Sequence, residues 1–230
     1  MVIPMWVAIL GWVCAVLGAV LALPQLIKLF KTRDTAGVSL LNWQLVVGSG
    51  LAWTWHGIDV GQAPVWVPNL LMGLSGLAIV WMICTHRKIS LPKTLLLPAG
   101  VMVVSLLIDN FYRFLGAAPD SAQATLAHSV FGFVVNIPQM IGVLAQMRSI
   151  IREPDLKGFS IAYMGMLCSV QYLWLIWSLF SGESAIRVGA GAMAALTTVA
   201  IIVYVLRQIG VIKPKQDTEA PAAQDGPLVP

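Results

Sequence analysis

Apolar residues run along this chain in seven long stretches, cut by short breaks that combine Gly or Pro with charge. The stretches lie at roughly 5–29, 38–58, 64–85, 94–115, 121–147, 159–180 and 186–209. The breaks fall at 31–37, 59–64, 86–93, 116–120, 152–158 and 181–183. A bilayer-spanning helix needs about 20 apolar residues, so each stretch predicts one transmembrane helix. The expected class is an all-α integral membrane protein of seven spans.

Composition removes the alternative of a water-soluble protein. Of 230 residues, 58% are hydrophobic and 10% charged, whereas a soluble domain carries about 25% charged residues. No polar stretch is long enough for a separate soluble domain. The wholly polar run from 213 to 230, rich in Pro, Ala and Gln, is expected to be a disordered tail. The N-terminus lacks a basic segment and Pro24 follows the first apolar run, so no cleaved signal peptide is expected. Charge then supplies the orientation. Twelve of the fourteen Lys and Arg residues fall after stretches 1, 3 and 5 or at the end, leaving only Arg113 and Arg187 on the other side. The positive-inside rule puts the N-terminus outside and the C-terminus in the cytoplasm, as an odd number of spans requires. The net charge of +4 has no basic run with interleaved aromatics, and no nucleic-acid partner is expected. Cys14, Cys84 and Cys168 stand alone in apolar segments and read as small hydrophobes.

The chain also repeats itself. Stretch 1 contains Pro24-Gln25 and stretch 5 contains Pro138-Gln139; each is followed by a basic loop ending in Gly-x-Ser, Gly37 to Ser39 and Gly158 to Ser160. With Gly37 set on Gly158, Trp53 falls on Trp174 and Gly61 on Gly182 without a gap. Each unit is three spans, with stretch 4 between them, so the expected organisation is a first repeat at 5–85, a linker helix at 94–115 and a second repeat at 121–209. One extra crossing makes the two units parallel, and parallel repeats enclose a substrate path at their interface. The duplicated Pro-Gln, the basic loop and the 3+1+3 plan resemble the PQ-loop superfamily, and within it the SWEET sugar transporters and their one-repeat SemiSWEET (MtN3/saliva) relatives. The resemblance covers residues 5–209.

Candidate mechanism residues follow from both lines of reading. An interior proline removes a backbone hydrogen bond and kinks a helix, and Pro24 and Pro138 sit at equivalent repeat positions near the cytoplasmic ends. That favours a hinge or inner gate, the role the resemblance also implies for them. Gln25 and Gln139 are expected to bond backbone groups freed by the kink. Trp53 and Asn69 each lie about five residues from the outer end of their spans, some 8 Å below the interface, where an indole face and an amide suit a sugar. The resemblance implies the same pocket from the Trp–Asn spacing of sixteen residues, and adds Ser49. Trp174 is the repeat partner of Trp53. Sixteen residues beyond it stands Ala190, so the second amide is missing, and Asn136, Gln171 and Thr197-Thr198 are the remaining polar candidates. The small-residue run 189–195 reads as close helix packing.

Asp109 and Arg113, four residues apart, predict an interfacial ion pair. His56 and His128 are single histidines without ligand spacing, so no metal site is expected, and no cofactor. Absence of HExxH, GxSxG or a phosphate loop argues against an enzyme. The expectation is a SWEET-like uniporter of a small polar solute, a mono- or disaccharide, working by alternating access in a plasma membrane, the short loops being consistent with a bacterial inner membrane. Alternatives are an amino acid or other metabolite carrier and, from another class, a non-transporting receptor or assembly factor. Two repeats in one chain remove the need to dimerise without forbidding a homo-oligomer.

Overall fold

The computed structural model describes residues 4–32, 39–152, 156 and 161–213, with the side chains of 20–26, 28–30 and 32 outside that description. Every regular element among them is helical: α1 (Met5–Thr32), α2 (Leu40–Asp59), α3 (Ala63–Arg87), α4 (Leu91–Thr94), α5 (Leu96–Asp109), α6 (Phe111–Phe114), α7 (Ala122–Val134), α8 (Ile137–Arg152), α9 (Ile161–Ser181) and α10 (Ser184–Gln208). They fall on the seven apolar stretches, with the fourth split into three helices and the fifth into two. Among the described residues, five segments are long and apolar enough to cross a membrane, at Ala63–Arg87, Leu91–Asp109, Ala122–Arg152, Ile161–Ser181 and Ser184–Gln208. Large apolar side chains face outward as well as inward, Leu96, Val103, Val104 and Leu107 on α5 among them. Water would penalise such a surface, and lipid does not.

Local chemistry sets the ends. Ser39 caps α2 by accepting from Asn42 N, and Ser121 caps α7 by accepting from Ala124 N. Gly61 and Gly182 follow α2 and α9 with φ of +69° and +81°, a conformation that glycine adopts without steric cost. Each lets the chain reverse directly into α3 or α10. The two glycines that the sequence sets on one another thus share one backbone conformation.

Packing follows the same plan twice. α3 lies against both α1 and α2, and α10 lies against α7, α8 and α9. One buried cluster, Trp43, Val47, Ile79, Val80 and Ile83, joins α2 to α3; another, Val143, Met164, Leu167, Met193 and Ala200, joins α8, α9 and α10. α5 packs on both α2 and α7, while α1 meets α9 directly. Cys14, Cys84 and Cys168 are free and buried.

Prolines lie just past two of the three breaks, those before α5 and α8. Pro98 has no N–H, so it cannot bond the Thr94 carbonyl one turn before it. Gln44 of α2 takes that place, its Nε2 donating to Thr94 O at 2.6 Å, which joins α2 to the end of α4. Gln44→Leu is expected to leave a buried carbonyl without a donor, costing about 1–3 kcal/mol, read as a lower midpoint of thermal unfolding in detergent. An unchanged midpoint would show that the bond contributes nothing. At the second break, Asn136 N reaches back only to Phe133 O, and the Asn136 Nδ2 donates to Gly132 O at 2.8 Å. The side chain thus replaces the bond that the interrupted backbone gives up.

Candidate functional site

Among the described residues, two assemblies of polar or aromatic side chains join separate helices. In the first, Trp53 of α2 and Trp174 of α9, both half-buried, pack against one cluster of Val7, Val65, Trp177, Ile186 and Ala190. Trp174 meets Trp177 edge-on at 5.5 Å between ring centroids, and Trp53 meets Phe131 of α7 edge-on at 5.0 Å. α2 and α3 touch backbone to backbone at Gly50, whose Cβ, if present, would lie 3.2 Å from Asn69 O. Asn69 is therefore level with Gly50, three residues and about 4.5 Å along the helix from Trp53. Trp53 and Asn69 thus lie within one turn of a common depth.

The polar candidates are anchored along their own helices. Asn69 Nδ2 donates to Val65 O at 2.8 Å, Ser49 Oγ to Leu45 O at 2.8 Å and Thr197 Oγ1 to Met193 O at 2.8 Å. Thr198 Oγ1 donates to Ala194 O and lies 3.0 Å from the Tyr172 hydroxyl. An amide has two N–H donors and a carbonyl, so one such bond engages only part of Asn69. Asn136 is bound to Gly132 O at the α7–α8 break and lies against Gly189 of α10. Gln171 is half-buried. Ala190 packs inside the tryptophan cluster, leaving that side apolar.

The Pro-Gln positions stand differently from one another. Pro24 and Gln25 fall within α1, and their side chains lie outside the described residues, as do Gly37, Gly158 and Ser160. Pro138 is the second residue of α8, just past an interruption at Val135–Asn136, instead of lying inside a continuous helix. A proline is tolerated in a first turn because the N–H it lacks has no partner there anyway. Gln139 is exposed.

The second assembly was not foreseen in the sequence. His56 of α2, fully buried, places Nδ1 3.0 Å from both carboxylate oxygens of Asp109 on α5. Its Nε2 lies 3.3 Å from Glu183 Oε1, at the start of α10. Asp109 is 1% and Glu183 7% exposed. Glu183 also caps α10, accepting from Ala185 N and Ile186 N. Burial alone would push the Glu183 carboxyl up; its contacts with His56 and the Ile186 N–H outweigh that and hold it below the ordinary range. His128 of α7 approaches the same Asp109 oxygen at 4.0 Å. Phe131 stacks on His56 with centroids 4.8 Å apart, and Trp53 meets its edge at 5.6 Å. The tryptophan cluster and the charged cluster are therefore contiguous.

This arrangement corrects the expected Asp109–Arg113 pair. The helix ends at Asp109, and Asn110 folds its Nδ2 back onto Leu106 O, so Arg113 does not sit one turn along the same helix. Arg113 instead donates to both oxygens of Asp59 at 2.6 and 2.9 Å, to Asn110 Oδ1 and to the Tyr112 hydroxyl. Asp59 raises its already high pKa. Nor do the two histidines stand alone: His56 and His128, each without ligand spacing in the sequence, converge on Asp109 through the fold.

Comparison with known proteins adds three findings. The family profile described as PQ loop repeat matches residues 6–54. No curated protein sequence matches the chain. Among solved structures, the chain is similar to one titled "The 3.7 A resolution structure of a eukaryotic SWEET transporter", with a TM-score of 0.63 and 16% sequence identity. The match covers 89% of this chain and 99% of that one.

Proposed function

We propose that this chain, a member of the PQ-loop superfamily built on the fold of a SWEET transporter, is a multi-pass membrane carrier that passes a small polar solute by alternating access. The observation that carries the reading is the meeting of Trp53 and Trp174, equivalent residues of the two repeats, in one cluster at the seam between the units. Parallel repeats place their substrate path on that seam. Two indole faces and the Asn69 amide suit a mono- or disaccharide, whose C–H face is apolar and whose rim is hydroxylated. Ser49, one turn from Trp53, and Asn136 complete the proposed lining. Seven spans in a 3+1+3 plan, with the N-terminus outside and the C-terminus in the cytoplasm, follow the distribution of basic residues. The Asp59–Arg113 pair and the His56 cluster then close the outer end. Pro24-Gln25 and Pro138-Gln139 lie toward the inner end, and the α7–α8 interruption beside Pro138 provides the hinge.

Uniport of glucose or sucrose is tested by uptake into liposomes. Trp174→Ala is expected to abolish uptake, and Asn69→Ala to lower it about tenfold, the value of one lost hydrogen bond of about 1.4 kcal/mol. Normal uptake by both variants, with normal unfolding midpoints, would remove the pocket assigned here. Ala190 supports a second reading, an amino acid or other metabolite, because it withholds the second amide from a symmetrical sugar clamp. Thermal stabilisation by amino acids and by no sugar would favour it. Specific ligand retention without flux in a sealed vesicle would point instead to a receptor.

A further inference from the structure

We propose that His56, Asp109 and His128 form a binding site for a divalent transition metal, zinc being the simplest occupant, with Glu183 orienting His56 from behind. The site uses the same His56 cluster that closes the outer end in the transport reading, but its ligand is a metal and its test reads metal binding, not solute flux. His56 Nδ1, one carboxylate oxygen of Asp109 and one ring nitrogen of His128 all lie within 4.8 Å of one another. Zinc binds imidazole nitrogen at about 2.0–2.1 Å and carboxylate oxygen at about 2.0–2.2 Å, so tetrahedral ligand atoms stand about 3.3 Å apart. The separations of 3.0 Å and 4.0 Å about Asp109 Oδ1 bracket that value. The three ligand atoms lie within 4.8 Å of one another, so side-chain shifts of about 1.5 Å at most would bring them to zinc, with a water in the fourth position.

The hydrogen-bond arithmetic points the same way. A neutral imidazole has one donor and one acceptor. His56 Nε2 lies 3.3 Å from Glu183 Oε1 without a hydrogen-bond partner, and Nδ1 stands 3.0 Å from both Asp109 oxygens. In the tautomer with the proton on Nε2, the Nδ1 lone pair faces the carboxylate, a repulsive contact unless a cation lies between them. A proton there would satisfy His56 and Asp109 alone. His128 Nε2, in a residue 9% exposed, faces the same Asp109 oxygen and has no hydrogen-bond partner. A metal engages all three groups and accounts for the orphaned nitrogen. A carboxylate behind a ligating histidine, as Glu183 stands behind His56, fixes the tautomer and makes the imidazole a better ligand. Two imidazoles and a carboxylate suit zinc, cobalt or nickel over magnesium or calcium. The ligands come from α2, α5 and α7, with Glu183 at the head of α10, so a bound metal ties both repeats to the segment between them. His128, with 11% of its side chain exposed, is the point of entry.

The test uses the full chain in detergent, stripped of metal with a chelator. Zinc at a hundredfold its dissociation constant is expected to raise the unfolding midpoint by about 5–10 °C, and magnesium to leave it unchanged. Cobalt(II) is expected to give the visible absorption band of tetrahedral coordination. His128→Gln should lose both signals, while His86→Gln, a histidine at the opposite end of α3, keeps them. Asp109→Asn provides a second ligand variant should His128→Gln fold poorly. Zinc stabilisation that persists in His128→Gln, an absent cobalt band, or a midpoint that responds to protons and not to zinc would each overturn the site.

Discussion

Purified His56→Ala is expected to unfold at a markedly lower temperature than the parent chain. His56 is fully buried between two carboxylates, Asp109 at 3.0 Å and Glu183 at 3.3 Å. Removing one member of a buried charged group while leaving its partners costs about 3–5 kcal/mol. For a chain of this size that is a midpoint about 6–20 °C lower. The loss is not one of packing, although Phe131 and Trp53 also surrender a neighbour. The two contributions separate in a double-mutant cycle. Glu183→Gln in the His56→Ala background removes one stranded carboxylate and is expected to restore about half of the stability, whereas a loss from packing alone would not be restored. A midpoint within 2 °C of the parent would show that the three groups are not coupled. By contrast, the exposed Asp59–Arg113 pair is expected to contribute under about 1 kcal/mol, because solvent screens it.

The difference between these two ion pairs also marks what the sequence could tell. Helix positions were legible because the signal is local: apolar runs of membrane length, broken by Gly, Pro and charge. Gly61 and Gly182 could be read as equivalent turns, and both adopt positive φ. Trp53 and Trp174 could be paired through the repeat, and they share a cluster. Asp109 could not be read correctly, because its pairing with Arg113 presumed an unbroken helix and the helix stops at Asp109. His56, Asp109 and Glu183 are separated by 53 and 74 residues, and no periodicity links such distances. Glu183 was visible only as a polar break, though an acid just before a helix start complements the positive end of the helix dipole. Its opposite number Gln62 makes no side-chain cap bond, so the repeat gave no hint of it. At the charged cluster the correspondence between positions 62 and 183 ends, and a repeat in the sequence is blind to it.

Gly132 is the position at which one added methyl group is expected to do the most harm. A Cβ built on it would run into the backbone carbonyl of Ala185 on α10, closer than any real contact allows. Backbone cannot yield as a flexible side chain does, so α7 and α10 must separate. The same crossing brings Gly189 of α10 against Gly132 O and the Asn136 amide, and Asn136 donates to Gly132 O. A displaced Gly132 therefore disturbs the contact that stabilises the interruption before Pro138. Overpacking of this kind costs about 1–3 kcal/mol, and membrane helices depend on such small-residue crossings because lipid supplies no hydrophobic drive to hold them together. Gly132→Ala is accordingly expected to lower the unfolding midpoint by about 2–12 °C. Gly142→Ala is the matched control, since a Cβ there meets nothing within 4 Å, and it should leave the midpoint unmoved. If the two substitutions behave alike, α7 and α10 do not cross at Gly132. If they differ as expected while solute flux in Gly132→Ala falls further than its stability, the α7–α8 interruption is part of the moving machinery, because only that segment depends on the Gly132 carbonyl for its shape.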